Sequence, residues 1–279
     1  ADILDCCERS QVTSLLIVGD AFARPLLDEQ RARPRDLSAL RFVLTGGAIL
    51  SPSLRHELLE LVPQLRIIDV LGSSESGRQA TASARGDDPG VGPTRFQPSP
   101  TAAVLDETLQ RRLEPGDGQI GWLAQGGRIP RGYLGDPDKT AETFPLVDGQ
   151  RWSVPGDRAA LRSDGSVELH GRESVTINTG GEKVFAEEVE QVLKHHRGVY
   201  DLLVVGRPSP TWGQEVVAVV APAPTAEVTL EGLRAIGAEH LARYKLPKDL
   251  VLVDQVQRSP SGKPDYAWAR RVAVADPST

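Results

Sequence analysis

The sequence has no methionine and only two cysteines among its 279 residues, and this scarcity excludes several classes of protein. Cys6 and Cys7 are adjacent, so they cannot supply a disulfide framework, and no Cys or His spacing is typical of a zinc site. We therefore expect a reducing, cytoplasmic compartment. No apolar run approaches the roughly 20 residues that a membrane-spanning helix needs, which predicts the absence of an integral membrane segment.

Positive charge is also limited. The formal net charge is -6, and the basic residues are scattered singly, which argues against nucleic acid as a partner. Neither a Walker phosphate loop nor a G-x-S-x-G nucleophile motif is present.

Apolar residues make up 39% of the chain, enough to bury a substantial core, and the length favours two domains. Because the chain opens at Ala1 within an αβ pattern and without methionine, we interpret it as a fragment.

Three short apolar runs in the first part of the chain predict buried strands, at residues 14–18, 41–44 and 66–71. Between the second and third runs, Ser51 and Pro52 are typical of a helix start. This order predicts a parallel βαβ unit, in which residues 45–48 and 72–77 leave their strands at the same carboxyl edge. Open α/β sheets bind ligands at that edge.

The later sequence changes character twice. Residues 78–100 are rich in glycine, proline, serine and charge, which predicts an irregular surface passage. Short strands with Asp-Gly turns at 148–149 and 164–165 then predict a β-rich subdomain. Beyond Arg172 the pattern is a hairpin, a helix, two strands, a helix over 230–244, a strand and a loop. The predicted fold class is α/β: part of a large domain with the β-rich subdomain over residues 1–171, then a smaller, mobile α+β domain over residues 172–279.

Several segments carry groups suited to a nucleotide, although each has a purely structural alternative. The segment GSSESG at 72–77 offers hydroxyl and backbone donors for phosphate and one carboxylate, Glu75, for Mg²⁺; it is equally typical of a plain turn. Asp157 can accept hydrogen bonds from ribose hydroxyls or be a solvated turn residue. Arg172 can clamp ribose or phosphate or form a structural salt bridge. Lys263 follows a Ser-Pro-Ser-Gly bend that either presents its ammonium to a cleft or leaves it exposed.

Taken in order, these segments resemble the adenylate-forming superfamily, and most closely the bacterial fatty-acyl-CoA ligases. GSSESG is similar to the family's Tyr-Gly-x-Thr-Glu segment, and RGYLGDPDKTAETF to its Gly-Tyr…Pro…Thr…Phe segment. WSVPGDRAALRSDGSVELHGR is similar to its Trp-x-x-Thr-Gly-Asp…Gly-Arg segment. The match spans nearly the whole chain. Leu71, Pro155 and Ser174 depart from the residues usual at their positions.

The resemblance implies ATP, Mg²⁺ and coenzyme A as ligands and assigns roles to individual residues. Ser74 would contact phosphate, Glu75 would bind Mg²⁺, and Lys263 would be the catalytic residue that binds the α-phosphate and the substrate carboxylate. Asp157 would hold the ribose hydroxyls, and Arg172 ribose or phosphate. The full set implied for nucleotide and coenzyme binding is Gly46, Gly47, Ala48, Asp69, Gly72, Ser73, Ser74, Asp157, Arg172, Gly180, Gly181 and Lys183. The Gly180-Gly181 hairpin would face the pantetheine of coenzyme A after the small domain rotates.

The implied function is ATP-dependent activation of a carboxylic acid, fatty or otherwise bulky and apolar, followed by transfer of the acyl group to coenzyme A. The family's Ser/Thr/Gly-rich phosphate loop is absent from the sequence. We therefore expect the chain to be the latter half of such an enzyme, inactive without the missing N-terminal half. Two alternatives remain: an adenylation domain that loads a carrier protein, and a non-catalytic fragment that binds nucleotide or acyl group.

Overall fold

A computed structural model describes residues 1–85 and 94–275 of the protein. The chain divides into two compact units, Ala1–Leu169 and His170–Thr279. Within the described ranges, no helix combines the length and apolar character needed to cross a membrane.

The first unit is built on one large sheet with helices packed against part of it. Its helices are α1 (Asp2–Arg9), α2 (Gly19–Ala32), α3 (Pro52–Leu61) and α4 (Pro137–Thr143). Its strands are β1 (Ser14–Ile17), β2 (Phe42–Gly46), β3 (Arg66–Ser73), β4 (Gly77–Ala84), β5 (Arg95–Pro98), β6 (Ala102–Leu105), β7 (Ile120–Gln125), β8 (Leu146–Val147), β9 (Gln150–Arg151), β10 (Asp157–Leu161) and β11 (Val167–Arg172). The last residues of β11 belong to the second unit.

The sheet of the first unit has the order β1-β2-β3-β4-β5-β11-β10-β7-β6. Strands β1, β2 and β3 are parallel neighbours, and the other strand pairs with a described register are antiparallel. The predicted α/β fold with a parallel βαβ unit is therefore confirmed. Leu54 and Leu58 of α3 are buried against the same core as Val43 and Ile67, because their helical spacing places them on one face.

The prediction of an irregular passage over residues 78–100 is wrong at residues 78–84 and 95–98. Strands β4 and β5 lie there and join the parallel strands to the β-rich strands in a single sheet. Gln79 and Ala80 are buried, because β4 is an interior strand with neighbours on both sides. Its small and polar residues conceal the apolar alternation that usually marks a strand. Residues 86–93, part of the same prediction, lie outside the described residues.

Both predicted Asp-Gly turns connect hairpins. Asp148 and Gly149 have φ angles of 50° and 72° between the short strands β8 and β9, which is typical of a two-residue type I′ turn. Between β10 and β11 only Gly165 has a positive φ, 79°. There Arg162 donates its backbone N–H to the carbonyl of Ser166 at 2.8 Å, so this loop has three residues.

The second unit is an α+β fold with its own core. Its strands are β12 (Ile177–Thr179), β13 (Glu182–Val184), β14 (Val199–Ser209), β15 (Gly213–Pro222) and β16 (Asp249–Leu252). They form a sheet in the order β13-β12-β15-β14, with β16 pairing with β15. Its helices are α5 (Ala186–Leu193), α6 (Leu230–Ala238) and α7 (Tyr266–Val274). Apolar side chains are buried on both faces of the β14–β15 pair, which accounts for the almost continuous apolar runs of these strands.

Two helices of the second unit differ from expectation. The helix predicted over 230–244 ends at Ala238, where the bonding pattern tightens: the amides of Glu239 and His240 bond carbonyls only three residues back, at 3.3 and 3.1 Å. Helix α7 lies where no helix is predicted. Asp265 caps it by accepting a hydrogen bond from the amide of Trp268 at 2.8 Å.

Candidate functional site

The turn between β3 and β4 is held tightly by its own backbone and hydroxyl groups. A Cβ at Gly72 would lie 2.1 Å from the carbonyl oxygen of Gly77, so only glycine fits there. The Oγ of Ser76 accepts a hydrogen bond from the amide of Ser73 at 3.1 Å and lies 3.1 Å from the Oγ of Ser73. Ser74 is exposed at the tip. The turn is therefore a rigid support for an exposed hydroxyl.

Glu75 in this turn is oriented by residues distant in the sequence. Its Oε1 accepts a hydrogen bond of 2.9 Å from the hydroxyl of Tyr133, and its carbonyl accepts one of 2.9 Å from the Oγ of Ser153. Partial burial alone would raise the pKa of the Glu75 carboxyl, but bonds from Tyr133 and Ser73 lower it overall. Lys139 adds positive charge, with its Nζ 4.5 Å from the Tyr133 ring centroid. Glu75 is thus an ionised carboxylate in a fixed position.

Tyr133 and Ser153 do not belong to the predicted site set. Tyr133 stands within the Gly-Tyr segment that contributes to the resemblance, so the sequence marks its position without indicating its contact. Ser153 follows the buried Trp152 and precedes the turn to Asp157.

The segment 45–48 leaves the end of β2 beside β3. Gly46 must be glycine because a Cβ would lie 2.8 Å from the carbonyl oxygen of Val70, and Gly47 has a φ of 77°. Thr45 is buried and its Oγ1 accepts a hydrogen bond from the amide of Gly19 at 3.1 Å. In the β2–β3 register, Thr45 pairs with Asp69. The structure therefore places Thr45 and Gly46, the start of this segment, on the strand next to Asp69.

Asp69 has a strongly altered acidity. Burial raises the pKa of its carboxyl to about 7, the positive charge of Arg55 opposes the rise, and the negative charge of Asp20 adds to it. Arg55 lies in α3 and Asp20 in α2, so the electrostatic surroundings of Asp69 come partly from the helices on that side of the sheet. Near neutral pH this group exists in both protonation states.

Asp157 begins β10 directly after Gly156, which has a φ of 105°. Only 4% of Asp157 is exposed. The alternative of a solvated turn residue is therefore wrong, because the carboxylate is withdrawn from water at the start of an interior strand.

In the second unit, Gly180 and Gly181 form the turn between β12 and β13, with φ angles of 59° and 86°. The amide of Gly180 donates to the carbonyl of Trp212 at 2.9 Å, and a Cβ at Gly180 would lie 3.1 Å from the indole. A Cβ at Gly181 would point into open space. Trp212 is 49% exposed, so an accessible aromatic ring adjoins the glycine turn. Sequence reasoning does not include Trp212 in the site; an aromatic residue before Gly213 is its only signal.

The two basic residues of the predicted nucleotide- and coenzyme-binding set in this unit, Arg172 and Lys183, differ in their environment. Arg172 is exposed at the end of β11, and its amide donates to Oε2 of Glu187 at 3.3 Å. Burial, with the nearby charge of Glu190, raises the pKa of Glu187 to about 8. The Nζ of Lys183 pairs with Oε1 of Glu173 at 3.0 Å, and both side chains are partly exposed.

Lys263 is exposed at the end of the turn Ser259–Lys263. Its amide donates to the Oγ of Ser259 at 3.1 Å, and its carbonyl accepts the Ser259 amide at 2.8 Å. Among the described contacts, none joins Lys263 to the glycine turn, so the second unit presents these groups on two separate loops.

Comparison with known proteins decides the family. The family model described as "AMP-binding enzyme" matches residues 1–134, and the one described as "AMP-binding enzyme C-terminal domain" matches residues 188–263. The chain belongs to the AMP-binding enzymes. The resemblance to the adenylate-forming superfamily is therefore confirmed, and both family matches fall in the order that the motifs predict.

Relatives of this AMP-binding enzyme include named CoA ligases. It is 48% identical over 274 residues to the medium-chain acyl-CoA ligase Mig of Mycobacterium avium, covering 98% of this chain and 49% of the relative. It is 45% identical over 269 residues to a "Medium/long-chain-fatty-acid--CoA/3-oxocholest-4-en-26-oate--CoA ligase" of Mycobacterium marinum, covering 96% of this chain and 49% of that protein. The chain thus spans about half the length of the curated relatives it matches.

The structure of the amide bond synthetase McbA from Marinactinospora thermotolerans has a similar fold, with a TM-score of 0.83 and 27% identity. The similarity covers 97% of this chain and 54% of McbA. This agreement confirms the predicted fold class.

The single carboxylate at the turn 72–77 fits a magnesium ion whose other ligands would be phosphate oxygens and water. Among residues 1–85 and 94–275, no group of three or more His, Cys, Asp or Glu side chains is placed to hold a metal. Glu75 supplies one ionised carboxylate, and Mg²⁺ commonly binds through one or two carboxylates together with substrate phosphates and water. The lowered pKa of Glu75 suits that role, since a metal ligand must be deprotonated.

Proposed function

We propose that the whole enzyme to which this chain corresponds activates a carboxylic acid with ATP and transfers the acyl group to coenzyme A. The carboxylate oxygen attacks the α-phosphorus, the bond to the β-phosphate oxygen breaks, and pyrophosphate leaves. The thiol of coenzyme A then attacks the acyl carbon and AMP leaves. The observation that carries this proposal is the 48% identity to an acyl-CoA ligase across 98% of the chain.

The turn at 72–77 is proposed to bind the phosphates. Ser74 is exposed at its tip and Ser73 lies beside it, so their hydroxyls can donate to phosphate oxygens. Tyr133 holds Glu75 at the same turn, and Glu75 would contribute one ligand to a magnesium ion. When bound, the ion would neutralise phosphate charge as it develops during displacement.

The edge of the sheet is proposed to hold the nucleoside. Gly46, Gly47 and Ala48 leave the backbone uncovered by large side chains, so a planar base can lie against it. Asp69 and Gly72 are proposed to line the same region. Asp157 is proposed to accept hydrogen bonds from the ribose hydroxyls.

The second unit is proposed to serve the two half-reactions with different loops. Lys263 would stabilise negative charge on the α-phosphate and carboxylate during adenylation, a contribution typically of about 10²–10³-fold. The turn at Gly180 and Gly181 would border the pantetheine path during transfer, with Trp212 offering an exposed ring beside it. Rotation of the second unit near Arg172 would exchange the loops.

Arg172 and Lys183 are proposed to assist binding of the anionic ligands. Arg172 is exposed at the junction, and its guanidinium can pair with phosphate or ribose oxygens. Lys183 is paired with Glu173 at 3.0 Å, so binding of a phosphate by Lys183 would have to compete with that carboxylate. We expect this lysine to contribute less than Arg172.

The acid is proposed to be a fatty acid or another bulky apolar acid. The name of the M. marinum relative combines fatty and sterol-derived carboxylates, and the chain shares 45% of its residues with that protein over the aligned length. With ATP and coenzyme A as cellular substrates, a cytoplasmic location is part of the proposal.

The proposal is tested by giving the whole enzyme ATP, Mg²⁺ and a series of carboxylic acids from acetate to long-chain and sterol acids. We expect AMP and acyl-CoA to form in equal amounts, with the longer apolar acids preferred. Parallel reactions replace coenzyme A with a phosphopantetheinylated carrier protein. Acylation of the carrier alone would favour the loading alternative, and nucleotide binding without AMP formation would favour a non-catalytic protein.

A further inference from the structure

The loop that carries Lys263 has mainly local bonds of its own. The amide of Gly262 donates to the carbonyl of Ser259 at 2.8 Å. Ser259 and Lys263 are joined by two hydrogen bonds, one from the Lys263 amide to the Ser259 Oγ and one from the Ser259 amide to the Lys263 carbonyl. These bonds close the turn, but they fix only its internal shape. The direction in which Lys263 is presented must be set by residues that connect the turn to the sheet.

Arg258 makes that connection on the N-terminal side of the loop. Its Nε and Nη2 donate to the two carboxylate oxygens of Asp201 at 2.9 and 2.8 Å, a bidentate pair. The Arg258 and Asp201 side chains are only 13% and 19% exposed. The remaining Nη1 donates to the carbonyl of Gly262 at 3.3 Å, one residue before Lys263. One planar guanidinium therefore joins β14 to the lysine loop.

The C-terminal side of the loop is anchored to the same strand by a second route. The hydroxyl of Tyr266 donates to Oε2 of Glu190 at 3.2 Å, and the other oxygen of Glu190 accepts the amide of Val204 in β14 at 2.9 Å. Glu190 is buried. The loop is thus held at both ends, and Arg258 bonds the turn itself.

We infer that Arg258 and Asp201 are positioning residues for Lys263 in acid activation. This inference rests on the proposed function. A lysine and a bidentate guanidinium are not interchangeable here, because an ammonium cannot bond both Asp201 oxygens in one plane and also reach Gly262. A misplacement of a reacting group by about 1 Å can lower the rate of a reaction on the order of 10²-fold. Loss of the Arg258–Asp201 pair should therefore slow adenylation, while transfer to coenzyme A at the Gly180-Gly181 turn should proceed as before.

The test compares Arg258→Gln, Arg258→Lys and Asp201→Asn in the whole enzyme, with Arg207→Gln as the matched control. Arg207 lies on the same strand, pairs with Glu215 and Asp249 at 2.8 Å and donates to the carbonyl of Ala273 in α7 at 3.2 Å; none of its described bonds reaches the turn Ser259–Lys263. We expect Arg258→Gln to lower kcat for adenylation by about 10- to 100-fold. We also expect its KM for ATP, and its rate of thioester formation from synthetic acyl-adenylate, to stay within about twofold of wild type. The control should leave both rates unchanged.

A second readout follows the loop without reference to activity. In the 279-residue chain, Arg258→Gln should make the amides of Ser259, Gly262 and Lys263 exchange with solvent about tenfold faster or more, while exchange in β15 is unchanged. Asp201→Asn, a nearly isosteric change, should show the same pattern more weakly. It replaces Arg258→Gln as the decisive variant if the latter does not fold.

The outcomes separate this inference from the function on which it rests. If Lys263→Ala cripples adenylation while Arg258→Gln leaves it within about twofold, the positioning role is overturned and the proposed function stands. The positioning role would also be overturned if Arg258→Gln slowed both half-reactions equally, or if it left amide hydrogen exchange in the lysine loop unchanged. If Lys263→Ala itself leaves adenylation intact, the proposed role of Lys263 fails and the inference fails with it.

Discussion

At Gly46 and Gly72 the close approach of neighbouring backbone, and not contact with a ligand, accounts for the choice of glycine. Any side chain at these positions would collide with the carbonyl oxygens of Val70 and Gly77, at 2.8 and 2.1 Å. Their presence is therefore explained before any nucleotide is considered. Ser74, exposed in the same turn, has no such structural requirement.

This difference predicts opposite effects of two substitutions in one turn. Gly72→Ala should lower the free energy of unfolding by about 1–3 kcal/mol, because the added methyl group forces backbone apart. Ser74→Ala should leave stability within about 0.5 kcal/mol of wild type. In the whole enzyme, however, Ser74→Ala should weaken ATP use by about tenfold, through loss of a hydrogen bond to charged phosphate. Urea unfolding and adenylation kinetics measure the two effects. A stable Gly72→Ala protein would contradict the packing argument.

Glu187 gives a prediction about pH. Its pKa is raised from 4.5 to about 8, so between these values the folded state retains a proton that the unfolded state has released. Stability therefore falls as pH rises from about 4.5 through 8. Glu187→Gln keeps an acceptor for the Arg172 amide and removes the ionisation. It should raise the free energy of unfolding at pH 8.5 by on the order of 1–3 kcal/mol, with little change at pH 4.5.

Thermal melts from pH 4.5 to 8.5 test this, with Glu182→Gln as the control because Glu182 is exposed in the same unit. If wild type and Glu187→Gln lose stability in parallel as pH rises, another group is responsible for the dependence.

At the scale of elements, periodicity predicts those strands and helices whose apolar faces are continuous. Strands β1 to β3 and helix α3 fall within a few residues of their predicted positions for this reason. Strand β4 is not predicted, because its residues are small and polar and show no apolar alternation. Gln79 and Ala80 are nevertheless buried. Helix α7 is not predicted either, because it is only nine residues long and directly follows a loop rich in proline and glycine. Asp265 is the main sequence signal for its start.

The second unit is predicted to fold independently. It has its own sheet and buries apolar side chains on both faces of the β14–β15 pair. A protein of residues 170–279 should give dispersed amide NMR signals and a cooperative melt.

The boundary predicted from sequence, before residue 172, remains to be tested. A protein of residues 172–279 lacks His170, whose ring centroid lies 5.7 Å from that of Phe185, and should melt at a lower temperature. Non-cooperative melting of both proteins would show that the unit depends on the rest of the chain.

At the scale of the whole molecule, ordered motifs predict the family but not the contacts that shape the site. The motifs identify Glu75 because its residue type and its neighbours match a known segment. They do not predict that Tyr133, 58 residues away, bonds its carboxylate, because that pairing depends on how β-rich strands join the parallel ones. Trp212 likewise comes to lie beside the glycine turn only because β15 pairs with β12.

The chain spans about half of each curated relative, and this bears on its activity when purified alone. We expect the 279-residue protein not to catalyse carboxylate-dependent exchange between ATP and pyrophosphate, because the sequence contains no Ser/Thr/Gly-rich phosphate loop. The assay follows labelled pyrophosphate into ATP, with the whole enzyme as the positive control. Robust exchange by the shorter protein would show that residues 1–279 suffice to hold the β- and γ-phosphates.

The proposal that Lys263 and the Gly180-Gly181 turn serve different half-reactions can be decided with one assay on the whole enzyme. Synthetic acyl-adenylate and coenzyme A are supplied to Lys263→Ala and Gly181→Leu, and thioester release is compared with the rate from acid and ATP. Lys263→Ala should lose adenylation by about 10²-fold or more and retain transfer. Gly181→Leu should retain adenylation and lose transfer, since its side chain would occupy the open space beside the turn and the φ of 86° at this position would strain the turn itself. The claim is contradicted if Lys263→Ala is equally slow with ATP and with the adenylate, or if Gly181→Leu is slow only in adenylation.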